Sequence, residues 1–194
     1  MLYAFGFERV GVVAGDMYII IPSQEGAIIP SQEGAERGVR VEVRLLERGG
    51  LPGSPYSARP IEIGRPVWRA DLLEAADGPP GSLNRAHHHP AFRGWDPGRR
   101  VFDPAMTAGP VDWVASELSD LEGLLERAGV PAGEVTAGDA ASLRDCLPEI
   151  MDAVGRLLRR VRDGELARPP DGKADRAAAP QGAEPAGGVR AGWL

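Results

Sequence analysis

The chain has 194 residues, 43% of them hydrophobic, and a formal net charge of −6. That length suits one domain with appendages, and the negative balance argues against a general nucleic-acid coat. No apolar run approaches a bilayer span, Met1 to Val13 shows no secretory leader pattern, and Cys146 is the single cysteine, so a membrane, an internal disulfide and an oxidising compartment are all excluded from the expectation.

The first part alternates in the manner of strands. Val39, Val41, Val43 and Leu45 fall on one face and Arg40, Glu42 and Arg44 on the other, the period of a half-buried strand. Weaker patterns of the same kind occur at Phe5–Val13, Met17–Ile21, Pro60–Ile63 and Val67–Leu73. Ala14-Gly15-Asp16, Gly49-Gly50 and Leu51–Pro55 read as the turns between them, which predicts an antiparallel meander or curved sheet. The segment Ile20–Ala27 is repeated unchanged as Ile28–Ala35. Two short copies make no solenoid, and lengthening a surface connection costs little entropy, so a small duplication in a loop is expected.

Beyond residue 103 the periodicity becomes helical. Val111, Val114, Leu118, Leu121 and Leu125 make one apolar stripe, with Pro110 at its start and Gly129 and Pro131 past its end. Leu143, Leu147, Ile150, Val154, Leu157 and Val161 make a second, in which Pro148 predicts a kink or a restart. Arg159, Arg160 and Arg162 suit the negative end of that helix dipole. The plain reading is packing on the sheet or on the first helix. A partner or homodimer contact through Ser142–Arg162 is the alternative. From Arg168 onward the chain is Pro, Gly, Ala and charge, too poor in apolar surface to offset its ordering entropy, and a disordered tail is expected.

All three histidines stand together at His87-His88-His89, before Pro90. The residue preceding a proline is driven to extended geometry, so His87 and His89 are expected on one face and His88 on the other. Two imidazoles on one face can bind a metal, share a proton or hold an anion. Asp71, Glu74 or Asp103 could complete an open metal site, but the spacing selects none of them, and the stronger Cys-x-x-Cys and His-Glu-x-x-His signatures are absent. No metal or cofactor is therefore expected. Acid–base work on a phosphate ester would use His87 and His89, with Arg85 or Arg93 on the phosphate. A purely structural reading has the histidines bonding backbone groups while Trp95, set among turn residues, plugs the loop onto the core. Phosphate loops, nucleophile elbows and dinucleotide fingerprints are absent.

The stretches Tyr56–Pro60, Val67–Glu74 and His87–Trp95 resemble a family of actinobacterial proteins to which no activity is assigned. The likeness spans roughly Phe5 to Leu121 and implies a bacterial cytoplasmic origin. Trp68-Arg69-Ala70-Asp71 and His88-His89-Pro90, followed by the helix from Pro110, also resemble TumE-type toxins, which implies ribonuclease activity. Here the chain departs from that pattern by lacking a second histidine group, by the order of Trp and Arg, and by its longer C-terminal part.

The sequence thus predicts an α+β fold: an antiparallel sheet followed by two α-helices and a disordered tail. The expected division is a sheet domain with the histidine loop and first helix over 1–130, a second helical segment over 131–167, and the tail over 168–194. Its leading function is binding of an anionic ligand or a protein partner through His87–Trp95, with His88, Arg85, Arg93, Trp95 and Asp71 as ligand-binding residues. A ribonuclease or phosphodiesterase using His87 and His89, acting on RNA, is one alternative. A non-catalytic antitoxin- or immunity-type module is the other.

Overall fold

A computed structural model of the chain describes residues 1–21, 34–48 and 61–170. Five antiparallel strands, β1 (Leu2–Gly6), β2 (Val10–Ile21), β3 (Gly34–Arg48), β4 (Ile61–Ala75) and β5 (His87–His89), form one sheet in the order of the chain. Among the described residues four helices follow where the sequence predicts two: α1 (Pro104–Ala108), α2 (Pro110–Ser119), α3 (Leu121–Arg127) and α4 (Ala137–Arg162). The α+β class and the antiparallel meander are as the sequence predicts. Most of the repeated segment, the Gly49–Pro55 turns, Tyr56–Pro60 and residues 171–194 lie outside the described residues.

The strands differ in extent from their sequence pattern. Ala14-Gly15-Asp16 is no turn, because the pairing of β2 with β3 continues through it, Gly15 opposite Arg40 and Asp16 opposite Val39. Asp16 instead takes the N-terminal ammonium and the backbone N–H of Ala167, tying both ends of the described fold to β2. The real turn falls at Phe7-Glu8-Arg9, inside the run predicted as one strand. Likewise Gly64-Arg65-Pro66 does not end a strand. The register of β3 on β4 shifts at Arg44, opposite Pro66, and such a bulge tolerates a residue without an N–H.

The first helical stripe is broken. Asp120, with φ −104° and ψ 58°, leaves the helical region and caps α3 by accepting from the N–H of Gly123. A Cβ on Gly123 would stand 2.2 Å from the Asp120 carboxylate, so the cap requires glycine there. The short α1 was not legible as a helix; Asp103 caps it from the N–H groups of Ala105 and Met106. The second stripe is one continuous helix with Pro148 inside. Pro148 is exposed, and the helix continues through it unbroken.

One face of the sheet carries Val10, Val12, Ala14, Val39, Val41, Val43, Trp68, Ala70 and Leu72, all buried. These residues form one core with Val114, Leu118, Leu121 and Leu124 and with Leu143, Ile150, Val154, Leu157 and Val161 of α4. The stripe of α4 is thus covered by the chain's own sheet and α2. Among the described residues no helix is long and apolar enough to cross a membrane.

Candidate functional site

The opposite face of the same sheet is polar. Strand alternation puts Arg40, Glu42 and Arg44 of β3 on it, and the pairing sets Arg40 opposite Asp71 and Glu42 opposite Arg69. Strand β5 then adds His87 opposite Asp71 and His89 opposite Arg69, while His88, opposite Ala70, turns to the helical side. His88 packs on Trp113, ring centroids 4.8 Å apart, and burial there lowers its pKa against the pull of Glu117 and Asp103. Three consecutive histidines are therefore divided between two environments by the pleat alone.

Asp71 is the hub. Its Oδ1 accepts from Arg40 Nε at 2.9 Å, and its Oδ2 forms an ion pair with the Arg69 guanidinium, 3.0 Å from Nε. The Nε2 atoms of His87 and His89 stand 3.4 and 3.6 Å from the same Oδ2. Burial pushes the Asp71 carboxyl pKa upward, but the surrounding groups, the Arg40 and Arg69 guanidiniums among them, outweigh it and hold it well below the carboxylate range. Asp71, His87 and His89 are all but sealed from solvent, at 1%, 0% and 2% exposure.

The tautomers follow from the outer partners. His87 Nδ1 lies 2.8 Å from the carbonyl of Arg85 and His89 Nδ1 lies 3.1 Å from the carbonyl of Pro97. A carbonyl only accepts, so both Nδ1 atoms carry hydrogen, and the Nε2 atoms are left to face Asp71. Arg69 Nη2 donates to His89 Nε2 at 2.8 Å, whereas His87 Nε2 is buried without a hydrogen-bond partner.

A strap over residues 90–101 closes this end of the sheet. Val101 returns to pair with His88 through two backbone hydrogen bonds of 2.9 and 3.0 Å, and Arg93 and Asp96 pair across the tip. Arg100 anchors the strap to the buried Glu36 of β3 at 2.9 Å. Trp95 does not plug a core. It is 69% exposed, with the Arg44 guanidinium 5.8 Å from its ring centroid. The ring follows the strap outward because Gly94 and Gly98, both at positive φ, turn the chain over the polar face.

The structure therefore brings His87, His89 and Asp71 together and separates the other expected ligands from them. Arg85 contributes its backbone carbonyl, Arg93 sits exposed at the strap tip, and Trp95 lies over the face beside Arg44. Of the carboxylates that spacing could not rank, Glu74 is paired with Arg37 at 2.9 Å and with the N–H of Gly81, and Asp103 caps α1. The arginines at the cluster are Arg40 and Arg69, which sequence reasoning missed. Their signal was the alternation itself, Arg40-x-Glu42-x-Arg44 on the outer face of a half-buried strand and Arg69-x-Asp71 on the strand paired with it.

Beside the cluster the polar face opens into a hollow of about 400 Å³. Asp16, Arg40, Glu42 and Arg44 line it together with Leu2, Val13 and Ile63. Comparison with protein-family models, with curated proteins and with solved structures finds no match to this chain.

Proposed function

We propose that the protein binds a small anionic ligand on the arginine-bearing face of its sheet, in the hollow beside the strap. The observation that carries this reading is a pair of guanidiniums, Arg40 and Arg44, on the wall of the hollow, whose two carboxylates are already engaged, Glu42 by Arg44 and Asp16 by the N-terminal ammonium. Guanidinium forks suit carboxylate and phosphate oxygens, and Leu2, Val13 and Ile63 offer an apolar wall to the rest of such a molecule. Trp95, open over Arg44, supplies a flat surface for stacking.

Phosphodiester cleavage by His87 and His89 needs their Nε2 atoms to meet a substrate. Both rings are buried, and their Nδ1 atoms are held by backbone carbonyls, so the arrangement favours binding over cleavage. A partner module acting through α4 loses support because its apolar stripe lies in the core. Calorimetric titration with inorganic phosphate, a nucleoside monophosphate and a short dicarboxylate tests the proposal. Saturable binding to one of them, lost in Arg44→Ala and Arg40→Ala variants that keep the wild-type circular dichroism, is the expected result. Absence of heat with all three, or binding indifferent to both substitutions, would sink it.

A further inference from the structure

The buried end of the polar face makes a different demand on chemistry. The Nε2 atoms of two imidazoles converge on one carboxylate oxygen, and that of His87 has no hydrogen-bond partner while fully buried. A lone pair aimed at a carboxylate is repulsive, and an unsatisfied buried acceptor is costly, so the arrangement calls for a positive centre between the three atoms. We propose that Asp71, His87 and His89 form a binding site for a first-row divalent cation of the zinc or ferrous class, with Arg69 as the residue that competes for it.

Three observations converge. The ligand atoms of Asp71, His87 and His89 all lie within 4.8 Å of one another. The Nε2–Oδ2 separations of 3.4 and 3.6 Å are long for hydrogen bonds, yet close to the edge of a tetrahedron of metal–ligand bonds, about 3.3 Å for bonds of about 2.0–2.1 Å. The Nδ1–H groups donate to the carbonyls of Arg85 and Pro97, the outer support that fixes a ligating histidine in the correct tautomer. Two imidazoles and a carboxylate form a mixed nitrogen and oxygen donor set that suits zinc, iron or cobalt and leaves further coordination positions open.

Arg69 stands where the ion would. Its Nη2 donates to His89 Nε2 and its guanidinium stands 3.0 Å from Asp71 Oδ2, so loading requires it to withdraw. It has somewhere to go: Glu42 is directly opposite in the register, and the Phe92 ring centroid is 5.8 Å away. The cation and the arginine are thus alternative occupants of one set of donor atoms. Binding in the wild type is weakened by that competition and by the repulsion of a like charge.

Tag-free, chelator-treated full-length protein titrated with Co²⁺ and followed by its visible absorption, with Zn²⁺ as competitor, reads the site. One equivalent is expected, with affinity about tenfold or more higher in Arg69→Met, which removes the competing charge. His87→Ala and His89→Ala are expected to abolish binding. His88→Gln, on the other face, is expected to leave it unchanged. Failure of both the wild type and Arg69→Met to take up one equivalent at micromolar metal overturns the proposal and assigns the gap at His87 Nε2 to a proton. Binding that falls equally in His88→Gln overturns it too, because the histidine run would then be acting as an unstructured tag. Wild type, Arg69→Met and His88→Gln decide between these outcomes even where the alanine variants do not fold, and none of them depends on the anion titration.

Discussion

The Asp71 hub makes a quantitative prediction that separates a coupled network from a set of independent contacts. Asp71→Asn keeps the volume and removes the charge, leaving two guanidiniums without their shared carboxylate. Arg69 is the serious loss, because its side chain is only 13% exposed, whereas Arg40 at 32% can turn toward water. Removing one partner of a buried pair costs about 3–5 kcal/mol, and an exposed pair contributes at most about 1 kcal/mol. With Arg69 near the lower bound and Arg40 discounted, Asp71→Asn is expected to lose about 3 kcal/mol. Arg69→Met alone leaves Asp71 with Arg40 and is expected to lose about 1–2 kcal/mol. If the two act as a unit, the double variant no longer strands a guanidinium and loses about 3 kcal/mol instead of the sum, a coupling of about 1–2 kcal/mol. Urea unfolding of the four proteins at pH 7, followed by far-ultraviolet circular dichroism, closes the cycle. Additivity within about 0.5 kcal/mol would refute the reasoning, since Arg69 and Asp71 would then be stabilised by separate surroundings.

Three further outcomes follow from other parts of the fold. Asp139, buried at the start of α4, accepts from the N–H groups of Arg9 and Thr136 and from the Thr136 hydroxyl, so Asp139→Asn should cost about 1–2 kcal/mol at pH 7. Burial raises the Asp139 pKa but those donors lower it further. Its stabilisation is therefore complete above the unfolded value and fades as pH falls through the lower folded one, so the gap to the variant should be constant at neutral pH and shrink below about pH 4. An unchanged gap in acid would count against the assignment. Gly38→Ala should lose about 3 kcal/mol, because a Cβ there would stand 2.1 Å from the carbonyl oxygen of Leu72, and a denaturation midpoint matching the wild type would refute that close approach. Trp95→Ala should change stability by less than about 0.5 kcal/mol, given its exposure, while weakening anion binding several-fold in the same calorimetric titration.

What the sequence made legible was whatever depends on near neighbours. The alternation of Val39 to Leu45 and the stripes of α2 and α4 have local periods, and each lies where its period places it. The sharing of a face by His87 and His89 is likewise local, a consequence of extended geometry before Pro90. Extents were harder to read, because Gly15 and Pro66 signal turns only when no partner strand holds them in register. The break at Asp120 turns on a single residue serving as a cap, inside a stripe whose apolar spacing never lapses.

The composition of the site was illegible for a different reason: it is fixed by pairing across distance. Asp71 meets the histidines only because the β4–β5 connection brings His87 back opposite it, and Arg40 arrives from another strand again. The two histidines are then locked from different directions. His87 Nδ1 is held by Arg85 within that same connection, whereas His89 Nδ1 is held by Pro97 on the strap. The strap in turn is fastened by the Val101–His88 pairing and the Arg100–Glu36 ion pair, and it also covers the backbone edge of the three-residue β5. Loosening the strap would free the ring of His89 and expose the sheet edge together, and would leave His87 and Asp71 in place. The fold therefore joins the protection of an unpaired edge to the sealing of a polar cluster.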